Sequence, residues 1–154
     1  MEIRIDRGAI GDIAALEARI PEFSCPKRAA VLGERLRSDN GALILVAFAD
    51  GQPVGYKAGY PLEMRRFYSW IGAVLPPYRR HGIARALLHE QERRLRESGY
   101  ASVRVKSRNG FPGMLRLLIG EGYRIVALEA VPSPQDPKIV FDKRLAPLSP
   151  SEAE

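Results

Sequence analysis

The chain has 154 residues, 45% of them hydrophobic, which is enough for one domain with a sizeable core. It carries a net charge of +6 and a single cysteine, Cys25, so an internal disulfide is excluded. No apolar run reaches the roughly 18 residues a membrane helix needs, and the opening Met1-Glu2-Ile3-Arg4 builds no secretory apolar region.

Glu2 to Asp6 alternates polar and apolar residues and predicts a first strand. Asp12 is placed to cap a helix from Ile13 to about Arg19, with Ile13, Leu16 and Ile20 facing inward and Pro21 ending it. Cys25 precedes Pro26, and the only histidines that could activate it are His81 and His89, so it reads as a structural or incidental residue. Lys27 to Arg37 predicts a second helix with Ala30, Val31 and Leu36 inward. Ser38-Asp39-Asn40-Gly41 is a turn cluster. Ala42 to Ala49 is a strongly apolar strand, Asp50-Gly51 a hairpin signal, and Gln52 to Tyr60 the returning strand. Pro61 to Arg66 reads as a connection.

Phe67 to Leu75 predicts a buried strand, stopped by Pro76-Pro77. A helix from Gly82 to Ser98 follows a basic turn. Its inward stripe is Ala84, Leu88, Gln91 and Leu95, and Glu90–Arg94 and Glu92–Arg96 form i,i+4 pairs on the wet side. Gly99 suits its end. Ala101 to Lys106 alternates as a fifth strand, Asn109-Gly110 breaks it, and Met114 to Glu121 is a short apolar helix. Tyr123 to Ala130 and Lys138 to Leu145 are the last two strands, with prolines between them. The expected organisation is one domain over residues 1–145 and a disordered polar tail over 146–154.

The stretch from Phe67 to Glu97 organises the rest. A strand feeds a helix through Arg79-Arg80-His81-Gly82. The first N–H groups of a helix lack intrahelical partners and carry partial positive charge, which suits a phosphate. Gly82 admits a close approach to the backbone, and Arg79, Arg80 and Arg85 add charge. Read from residues alone, the junction also fits an ordinary strand–turn–helix with surface arginines.

The spacing Arg79, two residues, Gly82, one residue, Ala84, with Val74 and Pro76 upstream, resembles the acetyl-CoA motif of the Gcn5-related N-acetyltransferases (GNAT family). The element order β-α-α-β-β-β-α-β-α-β-β is similar to that family's over nearly the whole chain. The resemblance implies an α/β (α+β) GNAT-like fold, with a mixed central sheet of about seven strands and about four helices. It implies acetyl-CoA as co-substrate and an amine acceptor, a small molecule or a protein. In that family the fourth and fifth strands splay apart and the thioester lies in the gap.

By the same resemblance, backbone N–H groups of Arg80, His81, Gly82, Ile83, Ala84 and Arg85 take the pyrophosphate. Ala73 and Val74 pair with the pantetheine arm, and the Val74 N–H polarises the thioester carbonyl. Asn109 matches an asparagine that contacts the same arm, or is simply a turn residue. The family's usual tyrosine acid falls at Leu118, so Tyr68 and Ser69 are the hydroxyl candidates for protonating the thiolate. Glu63 is the nearest candidate base. No residue cluster has metal-ligand spacing, and no metal is expected. Basic residues are spread along the chain without a nucleic-acid-binding motif, so neither nucleic acid nor membrane is an expected partner. A cytoplasmic location is expected, and homodimers occur in the family. A non-catalytic CoA-binding or interaction module on the same fold is the competing reading.

Overall fold

A computed structural model describes residues 1–20, 28–130 and 136–145. Cys25, Pro21 and the tail at 146–154 lie outside the described residues. The elements are β1 (Ile3–Arg7), α1 (Ile10–Glu17), α2 (Arg28–Arg35), β2 (Leu43–Ala49), β3 (Gln52–Pro61), β4 (Arg66–Val74), α3 (Ile83–Glu97), β5 (Ser102–Ser107), α4 (Pro112–Gly120), β6 (Arg124–Glu129) and β7 (Lys138–Arg144). The α/β class and the expected order are borne out, with ends shifted by a few residues. Two compact units divide the chain. One holds Met1–Pro61 and Ser69–Arg93, the other Leu62–Tyr68 and Arg94–Glu154.

In the first unit β1 runs antiparallel to β2, and β2 antiparallel to β3. Asp50 and Gly51 both take positive φ, 49° and 85°, as a two-residue hairpin turn requires. The side chains of α1 and α2 cover one face of these strands. Ile13, Leu16, Ile20, Leu32 and Leu36 pack there with Ile44, Val46, Tyr56 and Ala58. Leu45 and Ala47, which alternate with Ile44 and Val46, are fully buried too. That explains the unbroken apolar run in β2, since a strand covered on both faces need not alternate. Inside this core the Tyr56 hydroxyl donates to the Glu17 carboxylate, so neither buried polar group is left unpaired.

Three local expectations are corrected. Asp12 does not cap α1 from outside; it sits in the first turn, and its Oδ2 accepts the Ala9 N–H at 2.7 Å. Glu92 is not on the wet side of α3; it is 3% exposed. In α2 the inward residue is Leu32, 1% exposed, while Ala30 is exposed and Val31 is 37% exposed. Helical phase decides this: Leu32 and Leu36 are four apart and share a face. Leu32→Ala should therefore cost about 2–5 kcal/mol in urea unfolding. Val31→Ala should cost no more than about 0.5 kcal/mol. Equal losses would return the inward stripe to Val31.

In the second unit β7 lies between β5 and β6, antiparallel to both. Val103, Val105, Leu118, Tyr123, Ile139 and Phe141 are buried. Arg104 and Asp142 are register partners, and the guanidinium holds the carboxylate through two bonds of 2.8 and 2.9 Å. The expected connection over Pro61 to Arg66 is a tight turn. Met64 and Arg65 have φ of 62° and 58°, and the Leu62 N–H reaches the Arg66 carbonyl at 2.7 Å.

Candidate functional site

The Phe67–Leu88 stretch builds its site from backbone. β4 ends at Val74, and the Leu75 N–H donates to the Val54 carbonyl at 2.8 Å, which ties the strand's exit to β3. Pro76–Tyr78 makes one 3₁₀ turn, closed by the Tyr78 N–H to Leu75 and the Arg79 N–H to Pro76. The chain then turns sharply. Arg80 has φ of 65° and Gly82 of 77°, both left-handed. Glycine accepts this freely, but arginine does not, at a cost of about 1–2 kcal/mol. Strain of that kind persists only where the surroundings impose it, and it gathers at binding sites. Successive backbone N–H groups in such a turn form a concavity suited to an anion.

The Ala86 N–H donates to the Gly82 carbonyl at 3.0 Å, so Gly82 stands at the cap of α3. It has no side chain to accept the first N–H groups, and the first turn of α3 has no acidic residue. A Cβ built on Gly82 meets nothing within 4 Å, so the space over the turn is open. Ile83 is buried and anchors the helix, while Arg79, Arg80, His81 and Arg85 are exposed. Arg79 has a part the sequence did not signal: its Nε–H donates to the Val74 carbonyl at 3.1 Å, pinning the turn to the end of β4. The first unit thus brings together Ala73, Val74, Arg79, Arg80, His81, Gly82, Ile83, Ala84 and Arg85.

Close backbone packing shapes the strand beside it. A Cβ on Gly72 would lie 3.1 Å from the Tyr56 carbonyl oxygen and 3.5 Å from Lys57 Cγ. Trp70 and its neighbour Ile71 both pack against the α1–α2 core, as does Ala73, so strict alternation fails on this part of β4. Lys57 itself is 8% exposed, and burial pushes its ammonium down to about 8, with Glu92 acting in the opposite sense.

The remaining candidates are dispersed. Ser69, also in the first unit, is 2% exposed, and its Oγ has no hydrogen-bond partner among the described residues. In the second unit Tyr68 is buried with Lys106 Nζ 5.2 Å from its ring centroid. Glu63 is exposed on the β3–β4 turn, before the start of the strand that Val74 ends. Asn109 is exposed, and its N–H donates to Asp136 Oδ1 at 3.0 Å. Leu118 is fully buried and its carbonyl accepts the Tyr123 N–H at 2.9 Å, which makes it a core residue of the second unit.

The first unit thus joins a strand, a turn with two left-handed residues and a helix start into one continuous backbone feature of an α/β domain. The profile of the Acetyltransferase (GNAT) family matches residues 10–118, and the chain belongs to that family. Solved structures agree on the fold. The ribosomal-protein-S18-alanine N-acetyltransferase of Escherichia coli is 15% identical, with 97% of each chain covered and a TM-score of 0.81. Ard1 of Thermoplasma volcanium is 20% identical, with 96% of this chain and 100% of that chain covered and a TM-score of 0.78. The PaiA N-acetyltransferase of Thermoplasma acidophilum, solved with coenzyme A, is 18% identical, with 94% and 99% covered and a TM-score of 0.69. No curated protein matches the chain. No helix among the described residues is long and apolar enough to cross a membrane.

Proposed function

We propose that the protein is an N-acetyltransferase that moves the acetyl group of acetyl-CoA to a primary amine. The observation that carries this reading is the turn from Arg80 to Arg85. Two left-handed residues, the second a glycine with no side chain to cap, precede the helix, and a Cβ on Gly82 would meet nothing within 4 Å. Family membership supplies the matching ligand chemistry.

In this reading the pyrophosphate sits on the backbone N–H groups of Arg80 to Arg85, with the α3 dipole behind them. The pantetheine arm runs along Ala73 and Val74 as an added strand would. The Val74 N–H then donates to the thioester oxygen and stabilises the charge that develops there. The neutral amine attacks the carbonyl carbon; the new C–N bond forms and the C–S bond breaks. The amine nitrogen gives up one proton and the departing sulfur takes one. A thiolate leaves without much help, which lowers the demand for an acid at the position of Leu118. Tyr68 and Ser69 are the proposed hydroxyls for protonating the thiolate, Glu63 is the proposed base, and Asn109 is proposed to meet the pantetheine arm.

Calorimetric titration with acetyl-CoA, repeated with pantetheine, tests the reading. Micromolar binding of acetyl-CoA, at least 100-fold tighter than pantetheine, is expected. Equal affinities would remove the pyrophosphate site. Binding without acetyl transfer to any amine would favour the non-catalytic CoA-binding module, a reading that the buried Leu118 supports.

A further inference from the structure

A second cluster in the first unit lies outside the Arg80 to Arg85 turn and packs on the edge of the hydrophobic core. Arg35 ends α2, Tyr60 lies near the end of β3 and Trp70 lies within β4. The Arg35 guanidinium carbon sits 5.0 Å from the Trp70 ring centroid, and its Nη1 donates to the Tyr60 hydroxyl at 3.3 Å. Tyr60 and Trp70 meet edge to face with centroids 6.0 Å apart. Both rings are half-buried and packed on the α1–α2 core, while Arg35 is exposed.

A guanidinium laid on an indole face and tied to a hydroxyl is a preorganised cation. It retains N–H donors beyond the one that Tyr60 accepts, and their fork suits a carboxylate. No carboxylate among the described residues pairs with it. The contrast with its neighbour is informative. Two residues on, Arg37 is closed by Asp39 through bonds of 3.0 and 2.7 Å. Arg93, Arg104 and Lys106 likewise hold carboxylates. Among the described residues Arg35 is held by aromatic side chains instead, and no carboxylate closes its charge.

The position matters as much as the charge. Trp70 precedes Ala73 by three strand residues, a rise of about 10 Å. Ile71 and Ala73 pack on the same core as the two rings. From these placements, and resting on the transferase reading above, we infer that Arg35, held by Tyr60 and Trp70, binds a carboxylate on the acceptor. The acceptor class is then an aliphatic amine with a carboxylate several bonds from the nitrogen, of the ω-amino-acid type. A polyamine would be repelled by the same cation.

The chain has one tryptophan, and it is Trp70, so intrinsic fluorescence reports on this cluster without any need for turnover. The probes are 6-aminohexanoate and pentylamine, which differ by the carboxylate. Wild type should show a saturable fluorescence change with 6-aminohexanoate and none with pentylamine over the same range. Arg35→Met, which keeps the apolar stem at an exposed position, should weaken the first response at least tenfold and leave acetyl-CoA affinity unchanged. In an acetylation assay the same variant should raise KM for 6-aminohexanoate at least tenfold and leave kcat near wild type. No saturable response, or an equal response to pentylamine, would overturn the carboxylate site. Acetylation of both amines alike, untouched by Arg35→Met, would overturn it while leaving the transferase reading in place. A carboxylate-dependent, Arg35-dependent response in a protein that binds no acetyl-CoA would do the reverse.

Discussion

Glutamate in place of Gly82 should lower acetyl-CoA affinity at least 100-fold while the domain stays folded. Two separable effects meet at this position. The first is conformational: at φ of 77° any L side chain pays for a left-handed backbone, about 1–2 kcal/mol. The second is electrostatic. A carboxylate at the mouth of the turn opposes the pyrophosphate, and at 4 Å such a repulsion is worth about 1 kcal/mol in water and about 4 kcal/mol near a protein surface. A 100-fold loss corresponds to about 3 kcal/mol, which lies inside that span. Gly82→Ala separates the two, because it carries the backbone cost without the charge, and its Cβ meets nothing within 4 Å. Both variants should lose a similar amount of stability in urea. Only the glutamate variant should lose most of its affinity. If alanine and glutamate bind acetyl-CoA equally, charge at the turn is irrelevant and the pyrophosphate lies elsewhere.

Lys57 should make the domain's stability climb with pH. Its ammonium is buried between strands and helix, and desolvation lowers its proton affinity to about 8 from an ordinary 10.5. Between those values the unfolded chain binds the proton more tightly than the folded one, so stability rises with pH across that window. Below about pH 8 the penalty is constant, at about 3 kcal/mol for this shift. Above 10.5 it is gone. Lys57→Met keeps most of the stem and removes the titration. Relative to that variant, wild type should gain about 3 kcal/mol of unfolding free energy between pH 8 and 10.5. Parallel curves for the two proteins would mean that Lys57 reaches water or a stronger partner.

Much of the fold could be read along the chain because its causes are local. Asp50-Gly51 specified a hairpin turn by conformational preference alone, and both residues take the φ values that turn needs. Gly82 and the run after it marked a helix start, and the helix begins at Ile83. Alternation over Ala101 to Lys106 and the apolar run over Ala42 to Ala49 each fell on a strand. The turn from Arg80 to Arg85 was legible for the same reason, as a contiguous stretch of backbone between a strand and a helix; its cofactor role is proposed from the family resemblance.

What the sequence determined by itself was therefore the order of elements, the turn positions and the strand–turn–helix junction between Val74 and Ile83. Tertiary packing decided the rest. Charge pattern put Glu92 on the wet side of α3, yet packing buried it and brought its field to Lys57. Apolar character suggested Ala30 and Val31 as inward residues of α2, and packing buried Leu32 with Leu36 instead. The left-handed backbone at Arg80 has no signal in an arginine. Nothing in residue 35 announced that it would lie on a ring 35 positions away. Burial, strain and contacts between distant residues depend on where whole elements come to rest, and no local window of sequence contains that information.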